Sequence, residues 1–100
     1  MKLATFHSEA SAELLDAMDW YDERQYGLGA ELMTEVQRAV NKIEHDPGIG
    51  ARFRNTKFRF YRVDRFPYLV YYQEFLDRVW IVTIAHERRR PGYWKRRKPE

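Results

Sequence analysis

The sequence contains no cysteine, which excludes disulfide-stapled scaffolds, cysteine-ligated zinc sites and thiol catalysis. It also lacks any apolar run near the ~20 residues that cross a bilayer, and Met1–Lys2–Leu3 begins no secretory signal. Charged residues are abundant at 33%, and aromatic residues reach 16%. Together with a length of 100 residues, these features predict one globular domain over residues 1–100, expected in the cytoplasm and without membrane contact.

Motifs for phosphate and metal binding are also missing. No Walker sequence is present, and Gly27–Leu28–Gly29 follows a predicted helix rather than a strand, so we interpret it as a turn. The three histidines, His7, His45 and His86, are scattered and have no carboxylate partner at ligand spacing. The sequence therefore predicts neither a metal site nor a cofactor.

The formal net charge of +3 is divided unevenly between the two halves of the chain. Residues 1–50 carry four basic and ten acidic side chains, which gives a net charge of −6. Residues 51–100 carry fourteen basic and five acidic side chains, which gives +9. Such a division is typical of a protein with one face that meets a polyanion or an acidic partner. The alternative is two solvated surfaces of opposite sign.

Two amphipathic helices are predicted in the acidic half. Ser8 is placed as the N-cap of the first helix, whose apolar stripe includes Leu15, while Glu13 is expected to face water. The glycine turn at 27–29 ends this helix. A second helix is predicted over Ala30–His45, and the short turn makes the two helices an antiparallel hairpin.

Strands are predicted where aromatic and β-branched residues accumulate. Leu3–His7 is expected to form an edge strand, and three further strands are expected at Phe58–Val63, Tyr68–Gln73 and Val79–His86. The element order is therefore β-α-α-β-β-β. This order predicts an α+β domain in which a helical hairpin packs on a mostly antiparallel four-stranded sheet, followed by a basic C-terminal segment, residues 86–100.

The basic C-terminal segment has the densest potential for chemistry. Between His86 and Lys98 it carries seven basic side chains and two large aromatic ones. Arginine binds phosphates and carboxylates in bidentate fashion, and Tyr93 and Trp94 can stack on bases, so the segment suits a nucleic acid or an acidic protein. Alternatively, Trp94 packs on the sheet as a core anchor. His86 is either a general base or a hydrogen-bonded histidine at a strand end.

Several elements together resemble a known family. A helix ends near Gly27–Leu28–Gly29, a second ends at Asp46–Pro47, and then come Arg65–Phe66–Pro67–Tyr68 and His86-x-x-Arg89-x-Pro91-x-Tyr93–Trp94. Over about residues 3–97 this order is similar to the RelE/ParE superfamily of toxins from type II toxin–antitoxin (plasmid stabilisation) systems. The resemblance implies a β-αα-βββ fold and a cognate antitoxin protein that neutralises the toxin. It also implies that operator DNA is bound only through the antitoxin.

The superfamily divides by cellular target. RelE-like members are metal-independent mRNA endonucleases that act on the ribosome, whereas ParE-like members are not nucleases and poison DNA gyrase. The nuclease branch typically has an arginine in a stretch resembling Tyr68–Tyr72, where this sequence has Leu69. The Arg-Phe-Pro-Tyr element also resembles the ParE branch. We therefore expect a ParE-like toxin that inhibits growth without catalysis, with a RelE-like nuclease or a degenerate toxin that binds only its antitoxin as alternatives.

The competing hypotheses use overlapping residues. The nuclease hypothesis would use His86 as the base, Arg62 or Arg89 on the phosphate, and Tyr93 in an assisting role. Arg65 is expected to be either a solvated loop charge or a member of the C-terminal basic cluster. A surface that binds the target or the antitoxin would comprise Arg65, Arg88, Arg89, Arg90, Tyr93, Trp94, Lys95, Arg96 and Arg97.

Overall fold

Two helices pack on one face of a five-stranded sheet in the computed structural model, which describes residues 1–100. The elements in chain order are β1 (Ala4–Phe6), α1 (Ser8–Arg24), α2 (Leu28–His45), β2 (Ala51–Arg52), β3 (Phe58–Arg62), β4 (Tyr68–Glu74) and β5 (Val79–His86). The strand order is β1-β5-β4-β3-β2, in which β1 runs parallel to β5 and the other neighbours are antiparallel. The predicted α+β class and helical hairpin are confirmed. Neither helix has the length and apolar character needed to cross a membrane.

The sheet has one strand more than the four predicted. The additional strand, β2, is two residues long, and both of its residues are exposed. Such a short strand leaves no alternating pattern in the sequence. Close packing of Gly50, the residue before β2, brings the chain to this edge of the sheet. The Gly50 backbone N–H donates to the Tyr72 hydroxyl at 3.0 Å, and a Cβ at Gly50 would lie 2.7 Å from that oxygen.

The start of α1 differs from the prediction by one residue. The N-cap is His7 rather than Ser8, because the His7 Nδ1 accepts a hydrogen bond from the Glu9 backbone N–H at 3.1 Å. Ser8 is instead the first helical residue, and both its backbone N–H and its hydroxyl donate to the Glu100 carboxylate, at 2.9 and 2.7 Å. The C-terminus of the chain therefore lies at the N-terminus of α1.

The turn between the helices is shorter than predicted. Among residues 27–29, only Gly27 adopts the left-handed conformation, with φ of +90°. Helix α2 begins at Leu28 rather than at Ala30. Gly29 lies inside α2, where its role is close packing rather than helix termination. A Cβ on Gly29 would lie 2.6 Å from the Met18 carbonyl oxygen of α1, so any larger residue would push the helices apart.

Each face of the sheet has its own apolar cluster. The helices and β5 form the larger cluster on one face, although Leu15, predicted to widen the buried stripe of α1, is 57% exposed. The opposite face has an aromatic cluster that the C-terminal segment completes. Its buried members are Phe53, Tyr71, Trp80, Val82, Ala85 and Trp94. Strand β5 contributes to both clusters, so it is covered on both faces.

A bulge in β5 changes which face the end of the strand presents. The pairing with β4 passes from Ile81 to Thr83, so Val82 is an extra residue. After this bulge Ile84 and His86 lie on the helix face. Simple alternation along the sequence groups His86 with Val82, which belongs to the opposite face, and that assignment is wrong because the bulge shifts the alternation by one residue.

Candidate functional site

The C-terminal segment is anchored to the sheet by Trp94. Its side chain is fully buried, and its ring lies 4.6 to 5.3 Å, between centroids, from those of Phe53, Phe58 and Tyr71. The indole Nε1 has no hydrogen-bond partner, so this side chain is held by packing alone. The structure thus agrees with the core-anchor alternative, and Trp94 presents no surface to a partner.

A second anchor is a carboxylate of α1 that accepts four hydrogen bonds. The Glu13 oxygens accept from the Arg97 guanidinium at 3.0 and 3.1 Å, and from the Tyr93 and Thr83 hydroxyls at 2.7 Å each. Glu13, expected to face water, is only 16% exposed. Burial alone would raise the pKa of the Glu13 carboxyl. The hydrogen bonds and the positive charge of Arg97 outweigh burial and hold that pKa below its usual value.

This network uses two of the residues predicted to bind a partner. Arg97 is 12% exposed, donates to the Val82 carbonyl at 2.9 Å and lies 3.4 Å from the Glu9 carboxylate. The Tyr93 hydroxyl donates to Glu13, and burial raises the pKa of this phenol. Arg97 and the Tyr93 hydroxyl therefore hold the segment in place.

Two other candidate arginines also face acidic side chains. Arg62 forms an ion pair with Glu87 at 3.2 Å. Arg65 reaches α2, where it pairs with Glu31 at 2.6 Å and with Glu35 at 3.5 Å. Arg65 is 55% exposed in the loop between β3 and β4, which agrees with the solvated loop charge, and its ion pairs are with carboxylates of α2.

The other cations of the segment have no acidic partner. The six residues that form no salt bridge and are exposed, called here the unpaired cations, are Arg88, Arg89, Arg90, Lys95, Arg96 and Lys98. Aromatic rings hold two of them in place: the Arg89 guanidinium lies 3.9 Å from the Tyr93 ring centroid, and the Lys95 ammonium lies 5.5 Å from that of Phe53. These contacts orient the charges without neutralising them.

A groove of about 440 Å³ opens between α1 and the end of β5, and Arg89 lines it. Its walls are rich in aromatic side chains, namely Trp20, Tyr21, Tyr68 and Tyr93. Helix α1 contributes Asp16, and the end of β5 contributes His86. The His86 Nδ1 accepts from the Arg88 backbone N–H at 3.1 Å, so the neutral ring carries its proton on Nε2. The hydrogen-bonded alternative for His86 is thereby supported by geometry.

The structure brings together three of the four nuclease candidates. His86, Arg89 and Tyr93 line the groove, but Arg62 does not. Leu69, which stands where the resemblance implies an arginine in nucleases, lies on β4 opposite Arg62 and Ala85. The groove therefore offers one guanidinium and a phenol already committed to Glu13. No group of three or more His, Asp or Glu side chains is arranged to hold a metal ion.

Sequence reasoning missed Glu13, Thr83 and Trp20 as site residues. Thr83 did carry a signal, because it is the one polar residue between Val79 and Ala85, and a polar side chain inside a buried strand needs a partner. Trp20 lies seven residues after Glu13 on α1, which places both on one helix face. The hydrogen bonds that join Glu13 to β5 and to the C-terminal segment span 70 to 84 residues, and no local pattern indicates them.

Comparison with known proteins adds an independent observation. A profile of the family described as "ParE toxin of type II toxin-antitoxin system, parDE" matches residues 4–91. A solved structure described as "Chromosomal ParDE TA system from P. aeruginosa" has the same fold, with a TM-score of 0.76 at 16% identity, over 86% of this chain and 96% of that chain. No curated protein sequence gives a match. Because the family profile covers most of its length, the chain belongs to the ParE toxin family of type II toxin–antitoxin systems.

Proposed function

We propose that this chain arrests growth by binding DNA gyrase and that a cognate antitoxin neutralises it. The observation that carries the proposal is the set of unpaired cations on a firmly anchored segment. The fold supplies carboxylates to Arg62, Arg65 and Arg97 but leaves six neighbouring charges without any. Positive charges held in place and left open to solvent attract and orient an acidic protein surface.

The same geometry favours binding over catalysis. Cleavage of RNA needs a base, an acid and cations that converge on one phosphate. In the groove the Tyr93 hydroxyl is held by Glu13, and Arg62 is absent. The chain also has Leu69 where the resemblance implies an arginine in nucleases. A gyrase-binding toxin needs none of these groups, since it has only to present a surface.

Neutralisation by an antitoxin is supported by a second surface. A groove of about 490 Å³ lies between β1 and the two helices, and it is lined by Phe6, Leu15 and Met33 among others. Phe6 and Leu15 are exposed there, and Leu3 is exposed on the same edge of the sheet. Contiguous apolar surface of this kind marks a protein-binding face. An acidic antitoxin that covers this surface together with the unpaired cations would block access of the target.

Replacement of Arg88, Arg89 and Arg90 by alanine tests the proposal. Because all three are exposed, each change should alter the free energy of unfolding by less than ~0.5 kcal/mol, while gyrase binding and growth arrest are lost. The matched control is the triple replacement of Arg52, Arg54 and Lys57, which removes the same charge from another exposed site. Growth after induction, inhibition of supercoiling by the purified protein and thermal melting are measured.

Three outcomes would contradict the proposal. Equal loss of arrest in both triple variants would indicate a nonspecific effect of charge. An unfolded Arg88–Arg90 variant would make these arginines structural. Inhibition of translation before any change in supercoiling would favour the nuclease alternative.

A further inference from the structure

The groove beside Arg89 has the composition of a protein-binding site. Tryptophan, tyrosine and arginine contribute most of the binding energy at protein interfaces, and all three residue types line it. Trp20 stands at its edge with 49% of its surface exposed, although a side chain of this size is usually buried. The groove has a volume of about 440 Å³, which lies within the ~300–1,000 Å³ typical of ligand pockets.

The charges of the groove have opposite signs on its two walls. On the β5 side, Arg89 has no carboxylate partner, and the His86 Nε2–H is a donor without an acceptor in the chain. On the α1 side, Asp16 is exposed and forms no ion pair. A carboxylate would therefore be favoured at one wall and an ammonium or guanidinium at the other.

This distribution distinguishes a polypeptide from a nucleic acid. A polynucleotide carries negative charge along its whole length, and in this groove it would meet the exposed Asp16 carboxylate. A polypeptide can present an acidic residue to one wall and a basic residue to the other. Between them, an apolar side chain can contact Tyr21 and Tyr68.

We infer that this groove docks a segment of the toxin's protein target in which a large apolar side chain lies between an acidic and a basic residue. The acidic residue binds Arg89 and the His86 Nε2–H, the apolar side chain lies among the aromatic rings, and the basic residue pairs with Asp16. The inference rests on the proposed function, because it takes the target to be gyrase, and it adds the site and the chemistry of the docked segment.

The experiment uses a charge reversal whose sign separates the two classes of partner. Asp16→Lys should weaken binding of purified gyrase roughly tenfold, because it places a cation against the basic residue of the docked segment. If the groove instead holds a nucleic acid, the same change strengthens binding to a single-stranded RNA oligonucleotide. The matched control is Asp19→Lys, which makes the same charge change at an exposed position on α1 that does not line the groove.

A second pair of variants tests the apolar contact. Trp20→Ala should lower gyrase affinity by roughly tenfold or more, as truncation of an interface tryptophan commonly does. Leu76→Ala is its control, because Leu76 is almost fully exposed and lies in the β4–β5 turn, away from the groove. Melting temperatures of all four variants confirm that they are folded.

The possible failures point to different conclusions. If gyrase binding is lost in the Arg88–Arg90 variant but unchanged in Asp16→Lys and Trp20→Ala, the docking groove is wrong and the proposed function stands. If the wild-type chain arrests growth without binding gyrase, the proposed target is wrong. The docking groove is then tested by the growth arrest that the Asp16→Lys and Asp19→Lys variants cause. Relief of arrest by Asp16→Lys but not by Asp19→Lys then supports a docked protein segment. Unchanged or stronger arrest overturns it, as does a wild-type chain that arrests nothing.

Discussion

Two sets of cations in the basic half of the chain differ in what lies opposite them. Arg62, Arg65 and Arg97 each face a carboxylate, whereas the six unpaired cations face solvent. The contrast is sharpest between neighbours, since Arg97 is 12% exposed in a network with Glu13, and Arg96 is exposed without a partner. A run of basic residues is therefore not one functional unit. One part of it fixes the segment, and another part is available for binding.

The largest expected effect on stability comes from removing Trp94, which anchors the segment that carries Arg97 and the unpaired cations. Trp94→Ala should lower the free energy of unfolding by about 3–5 kcal/mol, because a fully buried aromatic side chain leaves a cavity among its neighbours. Urea denaturation measures this loss. Trp20→Ala is the matched control, because half of the Trp20 surface is already exposed and its removal leaves no closed cavity. Similar losses in the two variants would mean that the C-terminal segment is not held by Trp94.

Arg97 and Arg96 are adjacent in the chain, so replacing each in turn compares a paired with an unpaired cation directly. Arg97→Gln should destabilise the fold by about 2–3 kcal/mol, because it removes charged hydrogen bonds and leaves the largely buried Glu13 carboxylate without a counter-ion. Arg96→Gln should change stability by less than ~0.5 kcal/mol. Chemical denaturation of both variants at neutral pH gives the two values. If they are equal, the division into paired and unpaired cations has no energetic basis.

The Glu13 network also predicts a dependence of stability on pH. The pKa of Glu13 is lower in the folded chain than its ordinary value of 4.5, so its carboxylate stabilises the fold above that pH. This contribution disappears as the pH falls from about 4.5 through the lower folded pKa. Glu13→Gln should therefore be less stable than wild type by about 2 kcal/mol at pH 7, and the difference should shrink in acid. A difference that is constant from pH 7 to pH 3 would show that folding does not lower the pKa of Glu13.

Much of the fold could be predicted from sequence, because helix and strand periodicities are local. The helical hairpin, the three long strands and the edge strand β1 all follow from such patterns. Strand β2 could not be predicted, since two exposed residues give no periodicity. Simple alternation places His86 on the wrong face of the sheet, because the bulge at Val82 depends on pairing with β4.

The functional site was harder to predict because it depends on which charges meet. The sequence indicated the basic segment, but it could not separate Arg97 from Arg96 or predict that Arg65 reaches the α2 carboxylates. These pairs join residues far apart in the chain, and only the tertiary structure decides them. The core role of Trp94 was predictable as an alternative, since a large aromatic side chain after a central strand tends to pack.

The smallest effect is expected at His86, where it distinguishes the binding hypothesis from the nuclease hypothesis. A positioned base contributes typically ~10²–10⁴-fold to the rate of an enzyme, so His86→Gln would abolish most of a nuclease's toxicity. In the structure the His86 Nδ1 accepts from the Arg88 backbone N–H, and a glutamine side-chain oxygen can replace this acceptor. We therefore expect His86→Gln to retain growth arrest at matched expression, with at most a small loss from altered contacts in the groove. Primer extension on transcripts from cells expressing the wild-type chain provides the second measurement. Cleavage at defined codons that disappears in His86→Gln would show that the groove is a catalytic site and would overturn the gyrase proposal.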